Sequence, residues 1–75
     1  MVSKILPEKP FEVDMYVTPK QGSLPIFSLV ASSPHRIDHQ GEFTVKRVWW
    51  FQKFWAVDLR EIKGTYPAGS FIKVN

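Results

Sequence analysis

The sequence contains no cysteine, only four glycines and no long apolar run. Without cysteine, a disulfide framework, a thiolate zinc site and a cysteine nucleophile are excluded together. The glycines are isolated at positions 22, 41, 64 and 69, so no glycine-rich phosphate-binding loop is present. The longest apolar runs span four residues, whereas a transmembrane helix needs about 20. The N-terminus also lacks the apolar segment of a signal peptide, so we expect a cytoplasmic protein without a membrane partner.

The chain has 75 residues, 44% of them hydrophobic, which is enough for one domain with one core. A chain this short buries only about 60% of the surface that its unfolded form exposes. We therefore expect modest stability, or stability raised by a partner or by homo-oligomerisation. Residues 1–10 contain two prolines and no hydrophobic periodicity, which predicts an extended N-terminal arm before a single small domain at residues 11–75.

Alternation of hydrophobic and polar residues predicts short strands along most of this domain. The clearest case is residues 11–18, where one face carries Phe11, Val13, Met15 and Val17. A continuous apolar run with two serines predicts a strand at residues 26–32, and alternation predicts further strands at residues 42–46 and 70–75. Proline, glycine and polar residues predict turns at residues 19–25, 33–41 and 63–69.

Residues 43–59, the aromatic segment, hold six of the eleven aromatic residues and all three tryptophans. Two structures are compatible with this segment. One is a helix over about residues 45–63, in which apolar residues three and four apart form a stripe and Gly64 is the C-terminal stop. This helix would give an α+β fold.

The other structure is a hairpin that turns at Gln52 and Lys53. Its register pairs Arg47 with Asp58 and Val48 with Val57. A Gln-Lys pair is poor for a tight turn, but aromatic and β-branched residues favour strands, and the helix lacks a plausible N-cap. We predict a mostly β fold, a small five-stranded barrel-like (OB/SH3-like) domain, with the helix-containing α+β fold as the alternative.

The positive charge lies in the same half of the chain as the aromatic segment. Residues 36–75 contain seven basic and four acidic residues and residues 1–35 are neutral, so the net charge of +3 comes from the second half. Single-stranded nucleic acid is typically bound by aromatic rings, on which bases stack, beside lysines and arginines that neutralise the phosphates. The same pattern also suits an acidic protein partner.

The predicted binding site consists of Lys46, Trp50, Lys53, Arg47, Tyr16 and Lys20. Alternation along the strand predicts that Lys46 and Trp50 face outward, opposite a core-facing set of Phe43, Val45, Trp49 and Phe51. Lys53 is expected at the tip of the hairpin, and Tyr16 and Lys20 extend the surface. The hypothesis is a non-enzymatic domain that binds single-stranded nucleic acid.

Two alternatives account for the same residues. In the first, all three tryptophans belong to the core and the basic residues are its solvated flank. In the second, the domain is a protein-interaction module, such as an inhibitor or adaptor, that uses exposed tryptophan and arginine as anchors.

A cluster of potentially catalytic residues lies in one short segment: Ser32, Ser33, His35, Asp38 and His39. Catalytic triads are assembled by the fold rather than by adjacency, and the serines lack a nucleophile-elbow sequence. His35 and His39 would share a face only in a helix, whereas the intervening sequence is typical of a turn and only Asp38 offers a third ligand nearby. We therefore expect no catalytic site, no metal and no cofactor.

Three short segments, 20–22, 41–46 and 66–71, resemble the small five-stranded single-stranded-DNA-binding proteins of filamentous phages. Together they cover a fifth of the chain. Residues 49–55 have no counterpart in those proteins, which also continue beyond the end of this chain. The resemblance implies a five-stranded fold that binds single-stranded DNA, without indicating membership of that family.

Overall fold

The fold is built from short antiparallel strands. A computed structural model describes residues 7–30, 32 and 35–74, and this part of the chain contains seven strands, one 3₁₀ turn and no α-helix. The elements are β1 (Tyr16–Pro19), β2 (Ile26–Phe27), β3 (Arg36–Ile37), β4 (Phe43–Phe51), β5 (Phe54–Leu59), β6 (Thr65–Pro67), the 3₁₀ turn (Ala68–Ser70) and β7 (Phe71–Lys73). The predicted mostly β class is confirmed, and the alternative with a helix over residues 45–63 is wrong.

The aromatic segment folds into the β4–β5 hairpin, with its turn at Gln52 and Lys53 as predicted. The register confirms both predicted cross-strand pairs, Arg47 with Asp58 and Val48 with Val57. Gln52 has a φ of 58°, a left-handed conformation that costs about 1–2 kcal/mol for a residue with a Cβ atom. The hairpin forms because the pairing of β-branched and aromatic residues outweighs this unfavourable turn.

One extra residue in β4 reverses the faces of the strand. Val45 lies opposite Leu59 and Arg47 lies opposite Asp58, so Lys46 is the additional residue of a β-bulge. Because side chains alternate along a strand, every β4 residue after the bulge lies on the face opposite to the one that unbroken alternation predicts.

This reversal corrects the predicted orientation of the aromatic side chains. Phe43 and Val45, before the bulge, are buried as expected. After the bulge, Val48 packs against the core, and Trp49 and Phe51 lie on the opposite face. The prediction that Trp49 and Phe51 face the core is wrong because it assumed unbroken alternation.

Five strands form one antiparallel sheet in the order β6-β5-β4-β1-β7. The two edge strands, β6 and β7, are joined only by the 3₁₀ turn. A flat sheet would hold these edges about 19 Å apart, at about 4.8 Å per pair of strands, whereas four residue steps span at most about 14 Å. The sheet must therefore coil so that its edges approach each other, although the described strands form no closed barrel.

The long connection between β1 and β4 contains the small β2–β3 hairpin. Ile26 and Ile37 of this hairpin are buried in the main core. The Leu29 N–H donates to the Thr65 carbonyl at 2.7 Å, which holds the connection against β6. The other buried members of the core are Phe11, Val17, Phe43, Val45, Val57, Leu59, Tyr66, Ala68 and Phe71.

The first strand is shorter than predicted. The alternation over residues 11–18 predicts one strand, but β1 begins only at Tyr16, because Asp14 has a φ of 76° and belongs to a turn. Aspartate adopts this left-handed conformation more readily than most residues. Phe11 is buried as predicted, whereas Val13 is 50% exposed.

The other boundaries also differ in detail. The strands predicted at 26–32 and 70–75 are reduced to β2 and β7, and the predicted turns at 33–41 and 63–69 contain β3 and β6. These four strands have two or three residues each, which is too short for alternation to be recognised. Residues 1–6 of the predicted arm, positions 31, 33 and 34, and Asn75 lie outside the described residues.

Candidate functional site

A groove of about 520 Å³ lies beside the β4–β5 hairpin, the 3₁₀ turn and the end of the arm. We call it the tryptophan groove. Its lining consists of Pro7, Pro10, Phe11, Lys20, Trp50, Lys53, Phe54, Trp55, Pro67, Ala68, Gly69 and Phe71. Among the described residues, the lining therefore combines aromatic rings and prolines with two lysines and contains no acidic residue.

The two tryptophans of the groove lie opposite each other in the hairpin. The centroids of Trp50 and Trp55 are 5.2 Å apart and their planes meet at 81°, an edge-to-face arrangement. Trp55 also packs against the core. Trp50 lies on the same face of the hairpin, so it does not point to the opposite face as predicted. Both rings are nevertheless partly exposed, which leaves ring surface available to a ligand.

The two lysines of the groove are held by different elements. Lys20 directly follows β1, and its N–H donates to the Ser70 carbonyl at 2.8 Å, which fixes it beside the 3₁₀ turn. Lys53 lies in the hairpin turn, and both lysines are exposed. Neither forms an ion pair with an acidic side chain of the described residues. Their charges therefore attract an anionic ligand without a neighbouring carboxylate to offset them.

The arm forms one wall of the groove. The Trp55 indole Nε1–H donates to the Pro7 carbonyl oxygen at 3.0 Å. Pro10 lines the same groove, and the next residue, Phe11, is 7% exposed within the core. The end of the arm is therefore held by the buried ring of Phe11 and by the hydrogen bond from Trp55 to the Pro7 carbonyl.

The predicted site residue Arg47 lies on the opposite face of the hairpin. Its guanidinium carbon is 4.4 Å from the centroid of the Trp49 ring, and its Nε donates to Asp58 at 3.1 Å. The Asp58 carboxylate also accepts hydrogen bonds from Trp49 Nε1 at 3.2 Å and from the Thr65 hydroxyl at 2.7 Å. Arg47 is therefore paired with a carboxylate and stacked on a ring away from the tryptophan groove.

The predicted residues Lys46 and Tyr16 also lie elsewhere. Lys46 lines a second cavity of about 570 Å³ together with Arg60 and Glu61. Burial raises the pKa of the Glu61 carboxyl, but hydrogen bonds from the Thr44 N–H and hydroxyl, at 2.7 and 2.6 Å, outweigh burial and hold this pKa below its usual value. Tyr16 is 56% exposed and lines neither cavity.

The structure thus brings together three of the six predicted site residues, Lys20, Trp50 and Lys53. Trp55 was not among the predicted site residues, although the predicted hairpin register, extended by two pairs, places it opposite Trp50. Pro67 and Phe71 were not predicted either, because their contribution depends on the short strands β6 and β7. Nothing in the sequence pattern indicated that the prolines of the arm would reach the groove.

In the part of the chain that the structure describes, no three His, Cys, Asp or Glu side chains are grouped so that they could hold a metal ion. His39 Nδ1 lies 3.2 Å from the Asp38 carboxylate, while Ser33 of the same sequence cluster is outside the described residues. None of the described helical segments is long and apolar enough to span a membrane. No family model, curated protein or solved structure matches this chain.

Proposed function

We propose that the protein is a non-enzymatic domain that binds single-stranded nucleic acid in the tryptophan groove. The observation that carries this proposal is that two partly exposed indoles, Trp50 and Trp55, lie with Lys20 and Lys53 in a groove whose described lining includes no acidic residue. A nucleic-acid strand needs both features at once, because its bases stack on rings and its phosphates require positive charge.

The two kinds of residue would have separate roles. The partly exposed rings of Trp50 and Trp55 offer stacking surface, which is worth about 1–3 kcal/mol per base and is tolerant of sequence. The ammonium groups of Lys20 and Lys53 would contact phosphates and release counterions, which makes the affinity depend on salt. We therefore expect binding with little sequence preference.

The coiled sheet supports a small barrel-like architecture of the OB/SH3-like type as part of the same proposal. Its edge strands are joined by the 3₁₀ turn, and this turn and the end of β1 meet at the groove. Small five-stranded barrels of the OB type commonly bind oligonucleotides on such a surface.

A fluorescence titration tests the proposal. The emission of the tryptophans should be quenched by an oligothymidylate of about 15 nucleotides at low salt. Substitution of Lys20→Ala together with Lys53→Ala should weaken binding about tenfold and reduce the slope of log affinity against log salt by about 1.4, because two phosphate contacts are lost. The matched control removes two exposed lysines that do not line the groove, Lys63→Ala with Lys73→Ala, and should change the affinity less than about twofold.

Two results would overturn the proposal. A flat titration of the wild-type protein at 50 mM salt would remove nucleic acid as the ligand, since electrostatic binding is strongest at low salt. Equal losses in the two lysine variants would show that only net charge matters and that the groove is not the site.

The second candidate function is a protein-interaction module. It is favoured by one observation, the hydrogen bond from Trp55 to the Pro7 carbonyl, because a proline-containing segment already lies at the edge of this groove. The lysines then select an acidic partner. A flat nucleic-acid titration together with saturable quenching by an acidic proline-rich peptide would favour this function over the first.

A further inference from the structure

The end of the arm has the sequence Pro7-Glu8-Lys9-Pro10, with two prolines three positions apart. Such a segment favours the extended polyproline conformation, in which the backbone carbonyls are free to accept hydrogen bonds. In this protein one of them does so, since the Pro7 carbonyl accepts from Trp55 Nε1 at 3.0 Å. All four residues are exposed, and the two prolines line the tryptophan groove whereas Glu8 and Lys9 do not.

We propose that residues 7–10 are a tethered competitor that covers part of the tryptophan groove and must move away before a ligand can occupy it fully. This inference rests on the proposed binding function. When the arm leaves, Trp55 Nε1–H loses its acceptor and becomes a donor for an oxygen of the bound nucleic acid. Trp55 thus serves as the hydrogen-bonding residue of the site, and the arm determines whether its donor is available.

Tethering makes this competition effective although the contact is small. Phe11 is buried, so the prolines are held within a few residues of the groove at a high effective concentration. A single hydrogen bond to an uncharged acceptor is weak in net terms, so the covered and open states are close in free energy. The apparent dissociation constant of a ligand is inversely proportional to the fraction of molecules in which the groove is open.

The lining of the groove is consistent with displacement of the arm. Lys20 and Lys53 also line the groove, and the described ion pair of the arm, between Lys9 and Glu12 at 3.6 Å, does not involve either of them. The arm therefore leaves both positive charges of the groove without an ion-pair partner. A polyanion gains contacts with these charges that the arm cannot make.

The test compares three full-length proteins in the same oligothymidylate titration. In the first variant, Pro7→Gly and Pro10→Gly remove the conformational restriction of the arm and the prolyl contacts. In the second, Glu8→Ala and Lys9→Ala change the intervening residues without changing the net charge. We expect the proline variant to bind about 3- to 10-fold more tightly than wild type, and the control variant to bind within about twofold of it.

A second measurement follows the arm without any ligand. The Trp55 indole N–H signal in a nitrogen–proton NMR spectrum should exchange faster with solvent in the proline variant than in wild type, because its acceptor is released. Unchanged exchange and unchanged affinity in this variant would overturn the competitor role while leaving the proposed function intact. Weaker binding by the proline variant would also overturn it, because the arm would then contribute to binding instead of competing with the ligand. Absence of binding by all three proteins would overturn both inferences.

Discussion

Replacement of Gly64 by alanine is expected to destabilise the protein by about 2–4 kcal/mol. Gly64 has a φ of +114°, a conformation that residues with a Cβ atom rarely adopt. A Cβ atom built there would lie 2.8 Å from Ser28 Oγ and 3.0 Å from Tyr66 Oη, closer than van der Waals contact allows. The substitution therefore combines backbone strain with displacement of neighbouring side chains.

These neighbours cannot move at low cost. Tyr66 is fully buried, and its hydroxyl donates to the Lys63 carbonyl at 2.6 Å. Ser28 Oγ accepts a hydrogen bond from the Val30 N–H at 3.2 Å within the connection that packs on β6. An alanine at position 64 would force the connection and the core apart.

Urea denaturation followed by tryptophan fluorescence measures the loss in the free energy of unfolding. In thermal denaturation, a loss of about 3 kcal/mol lowers the melting temperature of a domain of this size by about 12–24 °C. The matched control is Gly69→Ala, since Gly69 has no positive φ and no atom within 4 Å of an added Cβ. We expect the control to be close to wild type, and similar losses at both glycines would contradict the packing described around Gly64.

Substitution of Asp58→Ala is expected to cost about 2–3 kcal/mol of stability. The carboxylate joins its own strand, β5, to β4 and β6, because it accepts hydrogen bonds from Arg47 and Trp49 of β4 and from Thr65 of β6. Thr65 is only 5% exposed, so its hydroxyl would be left with neither this acceptor nor full access to water. In the variant these donors lose their acceptor, and the Trp49 ring loses its hydrogen bond to residue 58. The free energy of unfolding therefore falls.

Asp38→Ala is the control, because Asp38 is also an aspartate beside an arginine but is exposed, 3.5 Å from Arg36. An exposed pair of this kind contributes little, so the midpoint of urea denaturation should remain close to that of wild type. Equal effects of the two substitutions would show that the Asp58 network adds nothing beyond an ordinary surface ion pair.

The β4–β5 hairpin is the part of the fold that the sequence pattern predicted best. Its aromatic and β-branched residues favour strands, and the opposite charges of Arg47 and Asp58 match in the observed register. The bulge at Lys46 was not predictable from the same pattern, because a single inserted residue leaves no mark on composition. It reversed the faces of all later residues in β4, so the orientation of the tryptophans was wrong although their strand was right.

The groove was only partly predictable for a different reason. Its residues come from the arm, the end of β1, the hairpin and the 3₁₀ turn, which are far apart along the chain. Local periodicity describes neighbours within one element and carries no information about which elements meet. Lys20 and Lys53 were selected on charge and Trp50 on an outward orientation that the bulge reverses, whereas Pro7 and Pro67 had no distinguishing local feature.

The central claim is that a ligand binds on the face of the hairpin that carries Trp50 and Trp55. Trp49 is an internal control, since its indole N–H is paired with Asp58 on the opposite face. The most direct measurement is a nitrogen–proton NMR titration with oligothymidylate at 50 mM salt, which resolves the three indole N–H signals. We predict that the Trp50 and Trp55 signals shift and saturate while the Trp49 signal stays in place. A shift of Trp49 alone, or no shift of any indole, would contradict the account.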